Sequence, residues 1–129
     1  MIISQDHIDE IFAHTKRVHP EECCGLIIGK GDEVTDLMAS RNVSESDRTK
    51  TFEIDPATRF KLIREQGHDA MIGFYHSHPN GIPYPSKTDK TMVYEPEMIW
   101  IIATQDEIKA FKFDEIKQDF AELPIQVKL

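Results

Sequence analysis

Residues 76 to 89 read HSHPNGIPYPSKTD. On an extended strand His76 and His78 share a face. Their Cα atoms lie about 6.6 Å apart, two steps of about 3.3 Å, and imidazoles at that spacing can converge on one ion. Asp89 has two readings. Ser86-Lys87-Thr88-Asp89 has the S-x-x-D form of a capping box, and the same helix start holds a carboxylate in its first turn, where it can aim at an ion instead. Pro79, Pro83 and Pro85 fix φ and Gly81 permits a tight turn, so the connector between strand and helix is stiff. Two histidines and an aspartate are suitable zinc ligands, and three protein ligands leave the fourth position open, which marks a catalytic rather than a structural site. Such a site also needs a general base. Glu21 and Glu22, at the entrance to the apolar run CCGLIIG, are the candidates. Solvated glutamates before a buried strand are commonplace, and periodicity does not choose between the two.

The elements that must carry these residues are legible. A helix is expected from Ser4, its N-cap, to about Val18, with Ile8, Ile11, Phe12 and Val18 near one face. Cys23 to Gly29 reads as a buried strand. Val34 to Val43 is its partner through the turn at Lys30, Gly31 and Asp32. The polar SESDRTK segment that follows reads as a mobile loop, and Thr51 to Ile54 as a short strand. Asp55 and Pro56 open a second helix with apolar face Ala57, Phe60 and Ile63 and C-cap Gly67. In the strand DAMIGFYHSHP, residues Ala70, Ile72, Phe74, His76 and His78 should point one way. Ser86 to about Tyr94 is expected to be helical. Met98 to Thr104 and Ile108 to Phe113 form a hairpin around Gln105 and Asp106, and Leu123 to Val127 adds a strand. This order defines a mixed α/β domain, a curved β-sheet flanked by helices, spanning residues 1–129 as one domain.

Composition narrows the function classes. The chain has 129 residues, 40% hydrophobic and 29% charged, with 23 Asp and Glu against 15 Lys and Arg, a formal charge of −8. An acidic domain with no basic run is a poor generic binder of nucleic acid, and its charge favours a basic partner surface. There is no long apolar run, and MIISQDHIDE lacks the basic and apolar regions of a signal peptide, so no membrane role is expected. The two cysteines, Cys23 and Cys24, are adjacent and form no disulfide framework, which points to a reducing cytoplasm. They read as small buried strand residues rather than ligands. His7, His14, His19 and His68 read as surface residues and Trp100 as core. Tyr84 either lines a groove or packs.

The stretch His76-Ser77-His78-Pro79, Ser86 and Asp89 is similar to the JAMM (MPN+) motif H-x-H-P-x(6)-S-x-x-D. Pro20-Glu21-Glu22-Cys23-Cys24-Gly25-Leu26 resembles that family's P-x-E-x-C-G-L element, which selects Glu22. The resemblance covers nearly the whole chain. It implies the JAMM/MPN, cytidine-deaminase-like α-β-α fold and a zinc metalloprotease that hydrolyses amide or isopeptide bonds after the C-terminus of ubiquitin or ubiquitin-like proteins. It further implies one catalytic Zn²⁺ held by His76, His78 and Asp89, Glu22 as general base and later proton donor, and Ser86 as hydrogen-bond donor to the reacting water or the oxyanion. The chain looks like the compact stand-alone prokaryotic type, some of which act on sulfur-carrier proteins with a Gly-Gly tail. Such a tail could lie extended beside the active-site strands, and a homodimer is compatible with this reading. Two rivals are a non-catalytic MPN scaffold, against which the intact ligand set argues, and a RadC-like protein, whose H-x-H-P-x-G-x-x-x-P-S-x-x-D stretch is matched by Gly81 and Pro85. RadC-like relatives usually carry a further N-terminal helical module, for which this chain leaves no room.

Overall fold

The computed structural model describes residues 1–129. Its strands are β1 (Ile2–Ser4), β2 (Cys24–Lys30), β3 (Glu33–Ser40), β4 (Met71–Ser77), β5 (Ile99–Ala103), β6 (Ile108–Asp114), β7 (Asp119–Leu123) and β8 (Gln126–Lys128). The helices are α1 (Gln5–Val18), α2 (Pro56–Gln66) and α3 (Lys87–Lys90). The strands form one mixed sheet in the order β7-β6-β5-β4-β2-β3-β1-β8, with bulges in the β2–β3 and β2–β4 ladders that bend it. This is the expected mixed α/β architecture.

Helix α1 starts where Ser4 caps it: the Ser4 hydroxyl accepts the His7 N–H at 3.1 Å. Ile8 and Ile11 then pack on one face of the sheet against Cys23, Ile27, Ile101 and Ala103. Each fully buried isoleucine contributes about 1.5–3 kcal/mol. The opposite face holds Cys24, Phe52, Trp100, Ile102 and Phe111, and beside them Leu26, Ile28 and Leu62 of α2. Alternation along β5 supplies both faces: Ile99, Ile101 and Ala103 look to α1, Trp100 and Ile102 away from it. Trp100 is core, as expected.

Several expectations need correction. The inward side of α2 is not Ala57, Phe60 and Ile63. Leu62 is its fully buried anchor, while Phe60 is 65% exposed. Both flanks of the helix orient it: the Asp55 N–H donates to Ser40 Oγ at 2.9 Å, and Arg59 pairs with Glu95 at 2.7 Å. Helix α3 is one turn long, not two or three, because Met92 and Val93 turn inward against the Trp100 cluster. Thr51 to Ile54 makes only a single bridge, Asn42 to Ile54. Leu123 to Val127 is split at Pro124, which has no N–H to give a ladder; β7 ends before it, and β8 pairs instead with β1, a strand the periodicity did not reveal. On β4 the common face breaks at Ile72. The bulge opposite Ile27 and Ile28 leaves Ile72 unpaired, and it packs on the α1 side while Phe74 packs on the other.

His14 is the largest departure among the histidines expected at the surface. It is buried on α1, and its Nδ1 lies 2.8 Å from the Tyr75 hydroxyl. Tyr75 in turn lies over Gly25, where a Cβ would come within 2.3 Å of the ring. Burial, reinforced by Arg17, holds the His14 pKa below its ordinary 6.5. The unfolded chain therefore binds a proton at a pH where the folded one does not. This contribution to stability is complete above 6.5 and is lost as pH falls through the folded pKa. Chemical denaturation between about pH 7 and about pH 5 should show wild type losing stability faster than His14→Gln; parallel curves would refute a neutral buried His14.

Candidate metal centre and active site

Strand β4 is where the sheet changes sense: it pairs antiparallel with β2 and parallel with β5. A parallel pair requires a crossover, and here the crossover is the proline-rich loop and α3. His76 and His78 leave the end of β4, and Ser86 and Asp89 begin the returning helix. The capping box is formed. Ser86 Oγ accepts the Asp89 N–H at 3.0 Å, and Asp89 Oδ2 accepts the Ser86 N–H at 2.9 Å. The same geometry also brings the three candidate ligands together. His78 Nε2 lies 3.0 Å from Asp89 Oδ2, His76 Nε2 lies 3.2 Å from Asp89 Oδ1, and the two Nε2 atoms are 3.1 Å apart.

Glu22 arrives from the other neighbour of β4. The β2–β4 register pairs Cys24 with His76; two residues further along each strand, Glu22 falls opposite His78. Beyond the ladder Ser77 bridges the strands. Its N–H donates to the Cys23 carbonyl at 3.1 Å, and its Oγ accepts the Cys23 N–H at 2.8 Å. The His78 N–H goes the other way, to the Ala103 carbonyl of β5 at 2.8 Å. Glu22 itself is clamped by the loop after β3: its N–H donates to the Arg48 carbonyl at 2.8 Å, and its carbonyl accepts Asn42 Nδ2 at 3.1 Å. Glu21 is exposed, whereas Glu22 is 3% exposed, so of the two glutamates only Glu22 is buried beside the imidazole pair.

The donor set fits a small tetrahedral cation. Ligands about 2.0–2.1 Å from zinc stand about 3.3 Å from one another, close to the separations among His76, His78 and Asp89. His78 Nδ1 faces the Ile82 carbonyl at 2.8 Å. Its proton therefore sits there in the neutral ring, leaving the Nε2 lone pair aimed at other lone pairs, a conflict that a cation resolves. His76 is held flat by Phe52, stacked at 4.3 Å and 22°, and edge-on by Trp100. Two carboxylates approach the imidazole pair. The ligand atoms of Glu22, His76 and His78 all lie within 4.8 Å of one another. Asp89, at 3.0 and 3.2 Å, is the nearer and the better third ligand. Glu22 Oε1 is buried without a hydrogen-bond partner, as is His76 Nδ1. An orphaned buried carboxylate oxygen beside three converging donors calls for a partner that the protein itself does not supply, such as an ion or a reacting molecule.

Burial pushes the Glu22 pKa up to about 8, with Asp89 adding to the rise and His78 opposing it. For Asp89 burial works toward the neutral form but is outweighed by the two imidazoles and the Ser86 N–H, which hold its pKa well below the usual range. Burial lowers His76. In His78 the same effect is overcome by Asp89, the Ile82 carbonyl and Glu22, and its pKa rises. Cys23 and Cys24 are free, buried thiols; burial pushes both up, Cys24 to about 12, as suits packing residues. Tyr84, half exposed, stands in the cleft with Glu22, His78 and Ser86. Over Met71–Ser77 both edges of β4 are occupied, so an extended peptide has no free edge there.

The overall fold is shared with a solved JAB1/MPN domain. A JAB1/MPN domain protein from Archaeoglobus fulgidus superposes with a TM-score of 0.66 at 21% identity, covering 100% of both chains. A protein from Desulfitobacterium hafniense gives 0.84 at 26% identity over 99% of this chain and 93% of that one. The chain belongs to the prokaryotic homologs of the JAB domain, whose family model matches residues 4–114. Among curated relatives, the desampylase of Haloferax volcanii is 31% identical over 81% of this chain and 80% of its own. The CysO-cysteine peptidase of Mycobacterium tuberculosis is 30% identical over 82% and 75%.

The positioning residues around the site, Ser77, Phe52 and Asn42, escaped the sequence reading. For Ser77 a signal existed, since it sits between the two histidines on the opposite face. Ser77→Ala leaves the buried Cys23 N–H without its acceptor and should lower stability by about 1–3 kcal/mol, with Ser77→Thr restoring most of it. Denaturant titration checks this, and an alanine variant as stable as wild type would show that the bridge is dispensable.

Proposed function

We propose that residues 1–129 form one JAMM-type zinc metallopeptidase domain, acting in the cytoplasm, that hydrolyses the amide bond after the C-terminus of a ubiquitin-like or sulfur-carrier protein ending in Gly-Gly. The observation that carries this reading is the buried, unpartnered Glu22 carboxylate beside His76, His78 and Asp89. The names of the relatives, desampylase and CysO-cysteine peptidase, support the substrate class.

His76, His78 and Asp89 hold the ion. Bound there, Zn²⁺ supplies Lewis acidity, polarising a carbonyl and acidifying water at neutral pH. Glu22, with a pKa about 8, is near the working pH, where a group both takes and returns protons efficiently. It removes the proton from the attacking water and delivers it to the leaving amine nitrogen. Ser86 is half-buried at the cleft; its Oγ already accepts from the Asp89 N–H, so its own proton is available to the oxygen on which negative charge develops. The substrate tail enters between Thr49 and Lys50 on one side and Asn80 to Pro85 on the other. Two glycines bring no side chains to obstruct its approach to Glu22.

Glu22→Gln should keep zinc and lose at least about 100-fold in turnover, the usual worth of a general base. Asp89→Asn and His78→Ala should lose both metal and activity. Metal analysis, together with mass spectrometry of products from Gly-Gly-tailed ubiquitin-like fusions and C-terminal cysteine adducts, reads these outcomes. Zinc lost from Glu22→Gln but retained in Asp89→Asn would exchange the two roles. Equal cleavage by chelator-treated and zinc-loaded protein would end the metallopeptidase reading.

A further inference from the structure

The net charge of −8 is unevenly placed. Three adjoining clefts share lining residues, and Glu22 lines two of them. The cleft that contains Glu22, His78 and Ser86 is also walled by Lys50 and Lys87. On the other side of Glu22 lies a second cleft with Glu21, Arg17, Arg41 and Arg48. A third shares Arg17 with the second and His19 with the first, and adds Lys16. Their walls hold six of the chain's 15 Lys and Arg but only two of its 23 Asp and Glu, Glu21 and Glu22. Of the six cations only Arg41 has an ion-pair partner, Asp55 at 3.2 Å; every other Lys or Arg pair in the molecule lies elsewhere. The five unpaired side chains are all exposed. Asp47 stands close enough to Lys50 to feel its charge, but cations otherwise gathered with few counter-charges repel one another and add little to folding, so this arrangement favours an external anion.

We propose that this basic collar docks an acidic face of the protein substrate, holding the substrate body while its tail lies in the cleft. The inference rests on the peptidase reading above and extends it to the chemistry of the partner's surface. The remainder of the chain carries 21 of the 23 Asp and Glu against nine of the 15 Lys and Arg, so an acidic protein is drawn preferentially to the collar, and the same field that attracts the partner also orients it. A nucleic acid is a poorer fit. Single-strand binders interleave cations with stacking aromatics, and Tyr84 is the one exposed aromatic side chain in these clefts.

The test uses zinc-loaded full-length protein and three substrates with the same C-terminal cysteine adduct. They are a Gly-Gly-tailed ubiquitin-like domain with an acidic face, the same domain with those carboxylates changed to amides, and a short Gly-Gly peptide. Wild type should show a KM about tenfold lower for the acidic domain than for its amide version, a gap that closes as salt rises. Arg17→Gln combined with Lys16→Gln, both outside the cleft that takes the tail, should raise KM for the acidic domain about tenfold, as expected for lost rim charges, with kcat and the peptide's KM unchanged. Lys61→Gln with Arg64→Gln, on the exposed side of α2, should change nothing. The salt dependence needs no variant and stands even if the double substitution unfolds the chain. Equal KM for the two domains, or a double variant that impairs the peptide equally, overturns the collar while leaving the peptidase reading intact. Failure to cleave all three substrates overturns both. A single-stranded oligonucleotide that competes with the acidic domain and is released by Arg17→Gln with Lys16→Gln would assign the collar to nucleic acid instead.

Discussion

The pairing of Cys24 with His76 across β2 and β4 is the constraint on which the rest of the site depends. Side chains alternate between faces of a strand, so a slip of one residue would carry Cys23 to the imidazole side and turn Glu22 toward α1. Three features defend the register. Gly25 leaves room for the Tyr75 ring on the α1 side, where a larger residue would force the strands apart. Ser77 takes both polar groups of Cys23 at the point where the ladder ends. The bulge at Ile72 absorbs the one irregularity at the far end of β4, away from the chemistry.

Within that frame the site is an electrostatic compromise. Four ionisable groups, Glu22, His76, His78 and Asp89, are each less than 5% exposed. Removing charges from water costs several kcal/mol per ion unless each is paired or hydrogen-bonded. Asp89 is compensated several times over, by two imidazoles and the Ser86 N–H, and stays ionised. Glu22 lacks such partners and is driven toward its neutral form. One carboxylate fit for holding a cation and another fit for moving protons thus differ in the number of donors around them, not in residue type. The capping box serves both ends, because the oxygen that closes the helix start is also the one that meets His78.

Local chemistry was legible in the sequence where it depends on local spacing. Ser4, Asp55 and Ser86 cap their helices, and His76 and His78 converge as strand alternation requires. What depended on packing from elsewhere was not. The face of α2 is decided by Ser40 and Glu95, far away in sequence, so periodicity chose Phe60 over Leu62. His14 was read as a surface residue because nothing near it announces Tyr75. The choice between Glu21 and Glu22 needed either the family resemblance or the β2–β4 register; one residue of difference in position becomes the difference between solvent and the site. A net charge summed over the chain likewise concealed the collar around Glu22.

The five residues of the site come from two very different separations. His76, His78, Ser86 and Asp89 lie within one crossover, so closing a short loop assembles the cation-binding group, a fast and cheap event for a chain. Glu22 joins them only when β2 has docked on β4, a contact between distant parts of the sequence and therefore slower to form. The local group can thus close before Glu22 reaches it, although its final geometry still waits on the β2–β4 register. An order of assembly in which Glu22 comes last keeps its free carboxylate apart from the imidazole pair in the half-folded protein, so the complete constellation exists only in the finished sheet.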